Sequence, residues 1–213
     1  MSLAEKIHYI ISYAIRIALL VAIISAVINS RWAILFASCL TLFLTFLPAM
    51  IERNYKVDLP VEFELLIVVF IYATIFLGEV HAYYTRFWWW DAILHAGSGV
   101  ALGFAGFIIL YILYTEEKIE AKPFTIALFS FCFAVAIGAL WEIFEFAMDN
   151  FFGMNMQKSG LVDTMWDLIV DSLGAFFTSA LGYIYIKGGN TRLFERLLRS
   201  FISKNPQLFK KKI

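Results

Sequence analysis

Apolar residues fall into six long runs along the chain, separated by short polar turns. About 20 residues cross ~30 Å of hydrocarbon at 1.5 Å per residue, and every run reaches that length. The pattern predicts membrane-spanning helices over residues 7–28, 32–51, 61–80, 92–114, 124–149 and 163–187. The first run carries Arg16 and is longer than the roughly 7–15 residues of a signal-peptide core, so it reads as a retained span. From Thr191 the pattern changes. Leu193, Leu197 and Phe201 recur every fourth residue, as do Phe194, Leu198 and Ile202, with Arg192, Arg196 and Arg199 on other faces. That is either an amphipathic helix lying on an anionic leaflet or a plain stop-transfer cluster of charge. The expected fold is all-α: a polytopic six-helix membrane bundle with an interfacial C-terminal helix. It forms one membrane domain over 1–189, its polar motifs between about 60 and 187, and a basic cytoplasmic tail over 190–213.

Composition narrows the class further. The 213 residues are 62% hydrophobic and 16% charged, against about 45–50% and 25% in ordinary soluble domains. A soluble enzyme, a disordered chain and a nucleic-acid binder are excluded. Lys+Arg and Asp+Glu each number 17, so direction comes from where the basic residues stand. With the N-terminus inside, fourteen lie on the inner side, and only Arg31, Arg86 and Lys158 lie outside. This places the protein in the plasma or inner membrane with both termini cytoplasmic. Trp32, Trp88, Trp89, Trp90 and Trp166 then all stand at outer span ends, as an aromatic belt does. Cys39 and Cys132 sit within apolar runs and read as small hydrophobes rather than a disulfide or metal ligands.

The chemistry lies in acids placed inside the spans. Glu142, Glu145 and Asp149 share one face of the fifth helix at i, i+3 and i+7. Asp163, Asp167 and Asp171 form a stripe on the sixth at i, i+4 and i+8. Asp91 and His95 pair at i, i+4 on the fourth, with Ser98 following on the same face. Asp171 lies eight residues below Asp163, or ~12 Å, so the group runs from the outer interface toward the midplane. A charge at a helix centre costs roughly 2.5–3.5 kcal/mol even on the mild insertion scale. Seven carboxylates therefore need bound cations, protonation or a wet vestibule. Hard oxygen donors with one imidazole suit magnesium, manganese or calcium, and zinc or iron next. The expected metal ligands are Asp91, Glu142, Asp149, Asp163, Asp167 and Asp171, with His95 and Glu145 as base or acid. Asp91 and Asp163 also fit helix N-caps, and Asp149 a solvated helix end. Gln157 and Lys158, in a glycine-flanked apolar loop, and Ser98 are weaker candidates for contacts to an anionic substrate. Gly99 with Gly103, Ala134 with Gly138, and Ala175 with Ser179 form small faces for close helix approach.

Three stretches carry a resemblance. They are Trp90-Asp91…His95…Ser98-Gly99…Gly103-Phe104, Trp141-Glu142-Ile143-Phe144-Glu145, and Gln157 through Asp171 to Gly174. Together they resemble the YjdF-like family of bacterial and archaeal inner-membrane proteins over roughly residues 60–187. The resemblance implies a topology but no reaction. The chain is also similar to VanZ-like membrane proteins, whose short motif spaces acids before a glycine. Asp171 stands where that motif would have an Asn.

Three functions fit these residues. The first is a metal-dependent hydrolase or transferase acting on a membrane lipid or lipid-linked phosphate. The second is a transporter of protons or divalent cations. The third is a scaffold or sensor stapled by metal. The enzyme leads, because the acid motifs occur only in the second half and no polar path continues inward below Asp171.

Overall fold

The computed structural model describes residues 3–209, and Lys210, Lys211 and Lys212 of the basic tail lie outside them. The described residues contain helices and turns only, and six of the helical stretches are long and apolar enough to cross a membrane. They form two units, Met1–Trp90 and Asp91–Ile213.

In the first unit, α1 (Leu3–Ile28) is followed by α2 (Trp32–Leu44) and α3 (Leu47–Tyr55). The sequence predicts one unbroken span here, but the helix breaks at Thr45–Phe46. Pro48, at the start of α3, has no N–H to return to the preceding turn. Arg16 of α1 covers the break. Its Nε donates to Thr45 Oγ1 and its Nη2 to the Thr45 carbonyl, both at 3.2 Å, and its guanidinium lies 4.3 Å over the Phe46 ring. This is why an arginine is tolerated within the first span. α4 (Val61–Ile71) continues as a π-helix over Tyr72–Val80, and α5 (Tyr83–Arg86) is a single turn. Ile15, Leu19, Val68 and Phe76 form the core of this unit.

In the second unit, α6 (Trp90–Thr115), α7 (Pro123–Phe152) and α8 (Leu161–Ile186) are the long helices, and α9 (Arg192–Lys204) closes the chain with a short 3₁₀ turn, Pro206–Leu208. The amphipathic stripe of α9 is turned inward. Phe194, Leu198 and Phe201 are buried, and Phe194 packs ring to ring on Phe104, Phe107 and Tyr185. The helix thus docks on α6 and α8 with its apolar face, leaving Arg192, Arg196 and Arg199 exposed. Small polar residues stitch the long helices together. Ser130 Oγ donates to the Gly103 carbonyl at 2.6 Å and meets Ser179 Oγ at 3.0 Å, and Thr178 Oγ1 donates to the Val100 carbonyl at 3.2 Å.

Candidate metal centre

His95 is the hub of the acidic group. It projects from the first turns of α6 and is 9% exposed. Its Nδ1 lies 3.2 Å from Asp171 Oδ2 on α8. An ionised carboxylate only accepts, so Nδ1 carries the hydrogen of this bond. Nε2 points the other way, 3.7 Å from Asp91 Oδ1 and 3.9 Å from Asp167 Oδ1. These separations are too long for hydrogen bonds. One atom from each of Asp91, His95 and Asp167 can be chosen so that all three lie within 4.8 Å of one another, a group able to hold a metal ion.

Asp171 stands behind the imidazole. Its second oxygen accepts from Ser98 Oγ at 2.8 Å, and that hydroxyl also lies 2.8 Å from the His95 carbonyl. The seat for Asp171 is made of glycine. A Cβ on Gly99 would collide with the Asp171 carbonyl, and one on Gly138 would lie 2.6 Å from Asp171 Oδ2. The small faces read from the sequence thus do more than let helices pack: they make room for one carboxylate between α6 and α7.

The three acids of α7 have different fates. Asp149 Oδ1 accepts the Met156 N–H at 2.6 Å and Oδ2 the Gln157 N–H at 2.9 Å, so this residue clasps the following loop to the helix end. Glu145 is buried, and its Oε1 accepts Trp141 Nε1 at 2.9 Å. Glu142 is 4% exposed, and neither of its oxygens has a hydrogen-bond partner among the described residues. It lies within electrostatic reach of His95, Asp171 and Asp163, with the Thr164 hydroxyl beside it.

At the mouth, Lys158 Nζ is 3.5 Å from Asp91 Oδ2. Asp163 is half-buried and interacts with both Asp91 and Lys158. Gln157 turns its Nε2 to Thr164 Oγ1 at 2.6 Å, which fixes the entry into α8 rather than presenting a free amide. The structure therefore gathers Asp91, His95 and Asp167, with Asp171 and Ser98 behind them and Glu142, Asp163 and Lys158 around them. It assigns Glu145, Asp149 and Gln157 to other bonds. Trp141 and Thr164 are the participants the sequence reading missed. Their signal was present, since Trp141 stands four residues before Glu145 and Thr164 three before Asp167.

Beyond Asp171, toward the Thr115 end, the polar groups are neutral and already bonded. Ser179 Oγ reaches the Ala175 carbonyl at 2.7 Å, beside the fully buried Ser130 and Ala175. The Phe104, Phe107 and Phe194 rings follow.

No solved structure matches this chain. It is similar to a protein of Thermotoga maritima described as uncharacterized, 28% identical over 142 residues that cover 65% of this chain and 70% of that relative. The family model described as "Predicted membrane protein (DUF2238)" matches residues 8–188, and the chain belongs to that family.

Proposed function

We propose that this protein is a membrane-embedded metalloenzyme, a hydrolase or transferase of a lipid or lipid-linked phosphate ester. In this reading Asp91, His95 and Asp167 hold one divalent cation. The observation that carries it is the orientation of His95. An imidazole whose Nδ1 is held by a carboxylate and whose Nε2 faces two more acids is the arrangement by which proteins set a metal-ligating histidine. Asp171 then acts through His95 rather than as a ligand. Two aspartates and one imidazole favour magnesium, manganese or calcium, with zinc or iron next. Three protein ligands leave positions open for water and substrate, where a cation polarises a phosphoryl oxygen. Lys158, beside Asp91 at the mouth, supplies the positive charge an anionic headgroup needs.

The family named by its membrane character is, in this reading, the YjdF-like one. The site faces outward, and both termini are cytoplasmic. Transport has less support, because the hydroxyls beyond Asp171 are bonded to helix carbonyls and to one another, and the aromatic rings follow.

Metal content tests the reading. Protein purified in mild detergent without chelator is expected to carry about one divalent ion per chain by elemental mass spectrometry, and Asp167→Asn to lose it. Metal-free wild type, even after resupply and desalting, overturns the proposal.

A further inference from the structure

Glu142 differs from the hydrogen-bonded acids around His95. Asp171 is bonded to His95 and Ser98, Glu145 to Trp141, and Asp149 to the loop amides. Both Glu142 oxygens are buried and neither makes a close, well-aligned hydrogen bond, with the Thr164 hydroxyl beside them and His95 and Asp171 within electrostatic reach. Burying a carboxyl with nothing to bond is costly, and a natural fold retains such a group where another species completes it. Glu142 is not among the three residues whose ligand atoms cluster. It comes from α7, whereas Asp91 and His95 come from α6 and Asp167 from α8. It lies within electrostatic reach of His95 and Asp167 but outside the group of three. A carboxylate so placed would meet a water on a cation held by those three rather than the cation itself. The sequence reading takes Glu142 as a ligand, and the experiment below separates the two roles.

We infer that Glu142 is the general base of the centre, taking a proton from the water that attacks a phosphate ester. This rests on the metalloenzyme reading above. In the step, a water O–H bond breaks and its proton passes to a Glu142 oxygen. The water oxygen forms a bond to phosphorus, and the bond from phosphorus to the ester oxygen breaks. The leaving alkoxide takes up the proton, so an ester and water become an alcohol and a phosphate with no change of oxidation state. Neutral Gln cannot accept that proton, while Asp can from a shorter reach.

The experiment uses full-length protein in detergent, loaded with Mn²⁺. The probes are bis(p-nitrophenyl) phosphate and mixed micelles of phosphatidic acid, which separate a soluble ester from a lipid one. Wild type is expected to hydrolyse at least one probe. Glu142→Gln should keep wild-type Mn²⁺ stoichiometry and lose on the order of 100-fold or more in kcat, the usual scale for a general base. Glu142→Asp should recover part of the loss. Loss of Mn²⁺ in Glu142→Gln would make it a ligand and overturn the inference while leaving the centre standing. Full activity in Glu142→Gln would overturn it as well. Wild type that binds Mn²⁺ but hydrolyses neither probe would overturn the hydrolytic reading, and this inference with it.

Discussion

Asp171 commits one oxygen to His95 Nδ1 and the other to Ser98, and both partners are on α6. A carboxylate so placed holds the ring from turning and keeps Nε2 pointed at Asp91 and Asp167. Asparagine in its place offers only one acceptor oxygen, and its amide cannot accept a hydrogen. Asp171→Asn should therefore weaken Mn²⁺ binding by about 10–100-fold, the range for outer partners of a metal-bound histidine. Calorimetric titration with Mn²⁺ measures it, and unchanged affinity would remove the orienting role. The sequence made part of this legible. Helical spacing alone places Asp91, His95 and Ser98 on one face and the three aspartates of α8 on another. What it could not carry is which nitrogen meets which acid. That depends on how closely α6 and α8 cross at Gly99, where the small-residue spacing marks a close approach but not its partner.

At the scale of elements, spans were easy to read and their interruptions were not. Hydropathy is blind to where α2 gives way to α3, because Thr45 and Phe46 are as tolerable in a span as in a break; Pro48 was the available sign. The loop between α7 and α8 shows the same division. The sequence shows only an apolar loop flanked by glycines there. The structure ties it down through Asp149 and through Gln157 on Thr164. Gly160 makes the final turn with φ +65° and ψ −132°, a region in which a side chain is strained. Gly160→Ala should cost ~1–3 kcal/mol. At about 2–4 °C per kcal/mol for a chain of this size, the thermal midpoint in detergent should fall by several degrees. A midpoint within one degree of wild type would mean that the loop bears no strain and re-forms freely. The tail helix likewise showed its periodicity in the sequence but not its target. An apolar stripe fits a lipid surface or a protein groove equally, and only the rings of Phe104, Phe107 and Tyr185 decide for the groove.

At the scale of the molecule, the question is whether an ion entering at His95 can leave at the other end of the same helices. A pathway needs polar groups with unspent bonding capacity or space for water along its length. Beyond Asp171 the second unit offers buried Ala134 and Ala175, and then the Ser130–Ser179 pair and Thr178, each hydroxyl already bonded to a helix or to a neighbour. Phe107, fully buried, stands at the foot of this column with Phe194 of α9 against it. Neutral, bonded hydroxyls followed by aromatic rings neither coordinate a divalent ion nor relay a proton. Protein reconstituted in vesicles that enclose a Mn²⁺-quenched dye should therefore admit Mn²⁺ no faster than protein-free vesicles, although the same preparation binds the ion. Saturable entry abolished by Asp167→Asn would show that the helices part during a cycle, and would replace the enzyme by a transporter. Entry at the background rate, with binding retained, would leave a cation site that opens to one side only, as chemistry on a membrane substrate requires and transport forbids.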